Sequence, residues 1–357
     1  MDATGARQVE DAVADCVSAL GAAVGRDWRA VRAEGLEWDC RRTAEHIADD
    51  LFSYAGQLAG RATDAYVPFG IVLEDGTDNA GALHVIRTAG TLLAATVRST
   101  PRAVRAFHPY PFRHANREGF AAMGVAEVLL HTHDIAAGLG VAYEPPAALA
   151  EFVLTRLFPE VRPGPAPWPT LRWATGRGEL PGRQRVSAWR WNNTLVVPAG
   201  RLVLEGVTPA AAADLSVGGD GSFDWVESGP FDSTRDAAGA LLTAYREGVL
   251  RARWGMFVLV RREDDRAVGG MGFHGPPDED GRVEIGYDLS PGARGHGYAT
   301  EALRALSAWA LEQPEVTSVF ATTGPENRPS RAVIERAGFT RLAGGDGEGG
   351  FAYELRR

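Results

Sequence analysis

Lysine is missing from this chain: all 37 basic residues are Arg, set against 46 Asp and Glu for a net charge of -9. Backbone phosphates demand a concentrated basic face, and an acidic chain with no visible Arg cluster gives no reason to expect nucleic acid as a partner. Cysteine is nearly missing too. Cys16 and Cys40 are too few for a disulfide framework and form no C-x-x-C pair, which points to a reducing compartment. The opening residues, MDATGARQVEDAVADC, lack the basic start and apolar stretch of a secretory signal. No apolar run approaches the roughly 18 residues that span a bilayer. The expectation is a cytoplasmic protein without a membrane partner.

What is present is a 357-residue chain, 45% hydrophobic and 23% charged, long enough for two domains with separate cores. From about residue 9 to 154, apolar residues recur at spacings of three and four between breaks rich in Gly, Pro or Asn, which predicts four long helices. One starts near Asp39, whose carboxylate can cap it, and carries Cys40, Ala44, Ile47, Leu51, Tyr54 and Leu58 on one face. Others cover 80–96 and 120–138. Residues 158–198, broken by prolines and carrying Trp168, Trp173, Trp189 and Trp191, read as an ordered appendage in which the rings pack. From residue 200 short strands alternate with helices. Strands are expected near 202–205, 256–261, 267–273, 282–289, 316–322 and 351–355, and helices near 209–216, 234–249, 297–311 and 329–337. The fold class is therefore two-domain: an all-α four-helix bundle at 1–199, then an α+β domain at 200–357.

Residues 283–300, VEIGYDLSPGARGHGYAT, run a strand into a Gly-rich turn and then into an amphipathic helix. Gly295 and Gly297 lack Cβ atoms, so their N–H groups can approach an anion closely, and the helix N-terminus adds partial positive charge. Arg294-Gly-His296-Gly-Tyr298-Ala299 matches the pyrophosphate-binding motif of the GNAT acetyltransferases. Downstream, Asn327-Arg-Pro-Ser330 followed by Gly338-Phe339 resembles that family's second signature. The resemblance covers about 201–357. It implies a splayed parallel strand pair, with Ile285, Gly286, Tyr287, Asp288 and Leu289 contacting acetyl-CoA through their backbone. Arg294, Gly295, His296, Gly297, Tyr298 and Ala299 would cradle its pyrophosphate, and Asn327 would hydrogen-bond near the thioester. An acceptor amine would attack that thioester directly, which requires a base within hydrogen-bond reach. Glu284 on the strand leading to the cofactor is the candidate, with a solvent-facing carboxylate as the alternative; His274 is a second candidate. The Tyr that protonates the departing thiolate in the family is replaced by Ile334, leaving Ser330, solvent, or Ser330 as a mere helix cap.

In the helical half, Glu127 and His131 stand four apart, close enough on one helical face to share an ion, and His46 is the candidate third ligand from another helix. Three protein ligands would leave a coordination position open, as in reactive zinc sites. The segments Trp38–His46 and Glu127–Ile135 resemble the N-terminal domain of mycothiol-dependent maleylpyruvate isomerase, a DinB-like four-helix bundle. That resemblance, over about 8–195, implies His46, Glu127 and His131 as ligands of a divalent metal, usually zinc, that activates a low-molecular-weight thiol. His133 would then be structural and Asp134 a partner behind a ligand. The sequence thus predicts an N-acetyltransferase acting on the primary amine of a small molecule. The bundle is either a metal- and thiol-dependent transferase or isomerase on the same substrate, or a non-catalytic recruiting module.

Overall fold

The computed structural model describes residues 5–343 and 349–357. The chain divides into two compact units between Asn193 and Thr194, earlier than the expected boundary at 199. The physical reason is a hairpin: Val196–Ala199 pairs antiparallel with Leu202–Gly206 and so belongs to the second unit's sheet.

The first unit holds α1 (Ala6–Gly21), α2 (Cys40–Gly60), α3 (Asn79–Ser99), α4 (Arg117–Gly138), α5 (Ala147–Leu157) and α6 (Pro167–Ala174). Asp39, Asp78 and Asn116 cap α2, α3 and α4, each side chain accepting from a first-turn N–H at Arg42, Gly81 and Gly119. Such caps each contribute about 1 kcal/mol. α1 packs on α3 and α4, and α2 packs on the same two helices, so the four long helices close a ring around one core. α4 is buried almost all round, from Gly119 to Ala136. A side chain at Gly124 would meet Leu93 Cδ2 at 2.6 Å, so the glycine lets α3 approach. By length and composition alone α3 could cross a membrane, contrary to the expectation that no apolar run approaches that length. Here Leu83, Ile86, Leu93 and Val97 face the bundle core. The appendage rings pack as expected: Trp168 against His133 and Tyr143, and Trp189 with Trp191 against Phe158. Cys16 and Cys40 are free and buried.

The second unit holds β1 (Val196–Ala199), β2 (Leu202–Gly206), α7 (Pro209–Ser216), β3 (Asp224–Trp225), α8 (Asp232–Glu247), β4 (Met256–Arg261) and β5 (Arg266–Phe273). Then follow β6 (Arg282–Leu289), α9 (Tyr298–Glu312), β7 (Ser318–Thr323), α10 (Arg328–Arg336), β8 (Thr340–Arg341) and β9 (Phe351–Arg356). Strand order is β1-β2-β4-β5-β6-β7-β9-β8, with β3 paired parallel to β5. α8 packs through Ala238 and Leu241 over Met256, Val258 and Ala267. A second layer of Trp254, Phe257 and Phe273 meets Trp309 of α9.

The feature that positions a site is the β6–β7 pair. These strands are parallel and bonded only from Arg282–Glu284 against Ser318–Phe320, while β6 runs on to Leu289. On its other edge β6 stays paired with β5 from Ile285 to Leu289. The edge of β6 that turns from β7 therefore presents main-chain groups with no strand partner, which a bound extended molecule can satisfy.

Candidate functional site

Beyond Leu289 the chain makes the turn that the sequence marked. Gly295 and Gly297 both have φ of 82°, the left-handed region that costs other residues about 1–2 kcal/mol each. Gly297 is the N-cap of α9 and no side chain caps that terminus, so its first N–H groups stay available. The loop is braced from the β1–β2 turn: Arg201 donates to the His296 carbonyl at 2.9 Å, pairs with Glu301 at 2.8 Å and stacks over Tyr298. Arg294 donates to the Leu289 carbonyl at 3.1 Å and lies over the Phe231 ring. A cavity of about 500 Å³ runs from this loop along Tyr287 and Leu289 to Asn327 and Ser330. His296 and the buried Tyr298 ring flank the loop, stacked on each other, while Ala299 reaches the cavity.

At the far end the side chains depart from the sequence expectation. Asn327 caps α10, its Oδ1 accepting from Ser330 N at 3.1 Å, so that oxygen is engaged within the helix start and the cap role belongs to Asn327 rather than Ser330. Ser330 Oγ lies 2.9 Å from the Tyr287 hydroxyl, and Ile334, at the position of the absent Tyr, is buried. Burial raises the Tyr287 pKa and the Ser330 hydrogen bond only partly offsets it, so this hydroxyl stays protonated and able to donate. Glu284 sits where β6 and β7 part. Its Oε1 accepts from Thr322 Oγ1 at 3.1 Å and its Oε2 is 3.4 Å from His274 Nδ1. His274 lines a second space of about 690 Å³ between α8 and the sheet. The two cavities share Ser233, Tyr287 and Asp288.

Asp288, read from the sequence only as a backbone contact, is the carboxylate at that junction. It accepts from Ser233 Oγ and Thr234 Oγ1 at 2.7 Å each, and from Gly270 N at 3.3 Å. Burial raises its pKa against those hydrogen bonds. The sequence held a faint signal, since Glu284, Gly286 and Asp288 share one face of β6 by period two.

In the first unit, α2 and α4 bring His46, Glu127 and His131 together, with one donor atom from each within 4.8 Å of the others. His131 Nε2 is 3.1 Å from Glu127 Oε2. Two donors on one zinc, each about 2.0–2.1 Å from it, stand about that far apart. His131 Nδ1 is bound to Asp134 Oδ2 at 3.0 Å, and Arg177 clamps Asp134. The tautomer that leaves Nε2 for an ion is thus favoured once the ring is neutral. The donor set fits a divalent metal. Without one, burial works against a charged His131, but Asp134 and Glu127 outweigh it and hold its pKa at about 9. Asp50, which the sequence reading passed over, lies 3.1 Å from His46 Nε2. Burial, and then the Glu127 charge, push its carboxyl up to about 9. Burial lowers the pKa of His46. His133 lies on another face against Trp168.

Residues 201–340 match the family model described as the Acetyltransferase (GNAT) domain. The chain is 36% identical over 83 residues to the uncharacterized N-acetyltransferase YjdG of Bacillus subtilis, 23% of this chain and 49% of that protein. It is 33% identical over 85 residues to the uncharacterized N-acetyltransferase p20 of Bacillus licheniformis, 24% of this chain and 48% of that one. The chain thus spans about half the length of the curated relatives it matches. Among solved structures, an acetyltransferase from Agrobacterium tumefaciens aligns at 27% identity and a TM-score of 0.34, over 49% of this chain and 100% of that one. An acetyltransferase of the GNAT family from Bacillus anthracis aligns at 18% identity and a TM-score of 0.32, over 45% of this chain and 98% of that one. Over residues 201–340, this chain carries an acetyltransferase domain of the GNAT family.

Proposed function

We propose that the second unit transfers an acetyl group from acetyl-CoA to the primary amine of a small molecule. The observation that carries this is the continuous path from the left-handed glycine turn at Gly295 and Gly297, along the unpaired edge of β6, to Tyr287 and Ser330. A pyrophosphate would sit on the N–H groups opening α9, and the pantetheine arm would extend along Ile285–Leu289 as an added strand. The neutral amine nitrogen attacks the thioester carbonyl, its C–N bond forms, the C–S bond breaks, and the amine loses a proton as the sulfur gains one. Glu284, through His274, and Asp288 are the groups positioned to receive the amine proton. The Tyr287–Ser330 pair is positioned to supply the sulfur's proton. Calorimetry with acetyl-CoA, followed by CoA release with an amine panel, tests the reading. Absence of acetyl-CoA binding would sink it.

The His46, Glu127 and His131 cluster supports a second reading for the first unit, a DinB-like metal site holding a divalent ion, with zinc the first candidate. A bound zinc would favour thiolate over thiol in a small thiol partner. Asp134 would orient His131, and His46 would bring the ligand from α2. Metal analysis of the purified chain and of His46→Ala and His131→Ala checks this. Full metal content in both variants would remove the site.

A further inference from the structure

The cavity between α8 and the sheet says what kind of amine the second unit takes. Its floor comes from the register of β5 against β6, in which Gly270 stands opposite Asp288 and Gly272 opposite Gly286. Three of these four positions carry no side chain, so the sheet is hollowed on this face and the patch presents one functional group, the Asp288 carboxylate. The glycines are needed where they stand. A Cβ at Gly270 would press on Thr234 Oγ1 at 2.9 Å, displacing a hydroxyl that holds Asp288, and one at Gly286 would meet His274 Nε2 at 2.8 Å.

The opposite wall is apolar: Ala237, Ala240, Leu241 and Ala244 line it from α8, with Leu250 and Trp254 closing one side. The small alanines leave the width open, and the space of about 690 Å³ is of the size that holds a drug-sized molecule. Ionisable side chains on the lining other than Asp288, His274 and Tyr287 are the exposed Asp236 and Arg251, one of each sign.

We propose that the acceptor is a monoamine on an apolar body, an arylalkyl or alkyl amine. Its ammonium would dock on Asp288 beside the cofactor channel and its hydrocarbon would lie between α8 and the glycine floor. Apart from the exposed Asp236, the wall of alanine, leucine and tryptophan offers a polyamine's second cation no partner, and burying an unpaired charge is costly. A carboxylate-bearing acceptor would bring its own negative charge toward Asp288. This assignment rests on the acetyl-transfer reading above.

The test compares phenethylamine and hexylamine with spermidine and with a short peptide bearing a free N-terminus, all on the full chain after acetyl-CoA binding has been measured separately. The expected result is a kcat/KM for the apolar monoamines at least about 10-fold above the other two. Asp288→Asn is expected to raise KM for phenethylamine by about 10-fold or more. Ala240→Phe, which fills the wall, is expected to lower kcat/KM for phenethylamine by about 10-fold while methylamine loses less than about 2-fold. If acetyl-CoA binds but spermidine or the peptide is used as well as the apolar amines, the acceptor assignment is overturned alone. The same holds if Ala240→Phe affects phenethylamine and methylamine alike. If acetyl-CoA does not bind, the acetyl-transfer reading falls and the acceptor assignment with it.

Discussion

The two units build their sites from different parts of the polypeptide. The second presents main chain: two glycines in a left-handed turn, a helix N-terminus and the edge of a strand that has lost its neighbour. The first presents side chains, two imidazoles and carboxylates projected from α2 and α4 into a half-buried centre. A main-chain site tolerates almost any side chain that leaves the backbone conformation alone, so it fails by strain. A side-chain site tolerates backbone detail but fails when one ligand is removed.

The largest expected effect breaks the first half of that contrast. Replacing Gly295 and Gly297 together by Val forces two β-branched residues into left-handed φ, at about 1–2 kcal/mol each, so acetyl-CoA affinity should fall by roughly 100-fold in calorimetry. Neither position is crowded, since a Cβ at Gly295 meets nothing within 4 Å and one at Gly297 meets Arg201 Nη2 at 3.6 Å. The loss should therefore track backbone strain, and a Gly295→Val/Gly297→Val protein with undiminished affinity would mean that this turn is not the cradle.

In the first unit the matching experiment acts one residue behind the ligands. Asp134 touches no ion in the proposed arrangement but holds the His131 ring through Nδ1 and is itself clamped by Arg177. Asp134→Asn can still bond Nδ1 but loses the charge that raises ring basicity, so zinc affinity should weaken by about 10- to 100-fold in competition with a chelator. Unchanged affinity would reduce Asp134 to a structural ion pair with Arg177.

A third experiment concerns where the second unit begins. A piece starting at Thr194 keeps β1 on β2, whereas one starting at Arg201 strips the whole β1 ladder and exposes β2 as an edge. The longer piece should melt a few degrees higher, since about 1 kcal/mol shifts the melting temperature of a domain this size by roughly 2–4 °C. Equal melting temperatures would return the boundary to the position near 199 that the sequence suggested.

That boundary shows why some features were legible and others were not. The anion turn lies within six consecutive residues, Arg294–Ala299, so the glycines and the following helix could be read together. Glu127 and His131 were legible because helical spacing puts them on one face. The same four-residue spacing joins His46 to Asp50, and that signal went unused because Asp50 stands in an ordinary acidic stretch until α4 buries it beside Glu127. Asp288 could not be assigned to the cavity under α8 from sequence, because the floor exists only through the pairing of Gly270 and Gly272 with β6. The β1–β2 hairpin was missed because a tight Gly200-Arg201 turn follows a proline-broken stretch that reads as the end of the appendage.

The smallest expected effect concerns the proton returned to sulfur. In the proposed reaction Tyr287 and Ser330 would stand in for the Tyr whose sequence position Ile334 occupies; their hydroxyl oxygens lie 2.9 Å apart beside the cavity that starts at the glycine turn. Burial keeps Tyr287 protonated, and its O–H has two acceptors within reach on Ser330, the carbonyl at 3.1 Å and Oγ at 2.9 Å, so it donates outward only by leaving them. A thiol of ordinary pKa, about 8.5, leaves readily near neutral pH, so its acid catalyst contributes little compared with one serving an alkoxide. Ser330→Ala should therefore lower kcat only by about 3- to 10-fold with KM for acetyl-CoA unchanged, and Tyr287→Phe should lower it further. A Tyr287→Phe/Ser330→Ala protein that turns over at the parent rate would assign the proton to solvent and leave the hydroxyl pair as a packing contact between β6 and α10.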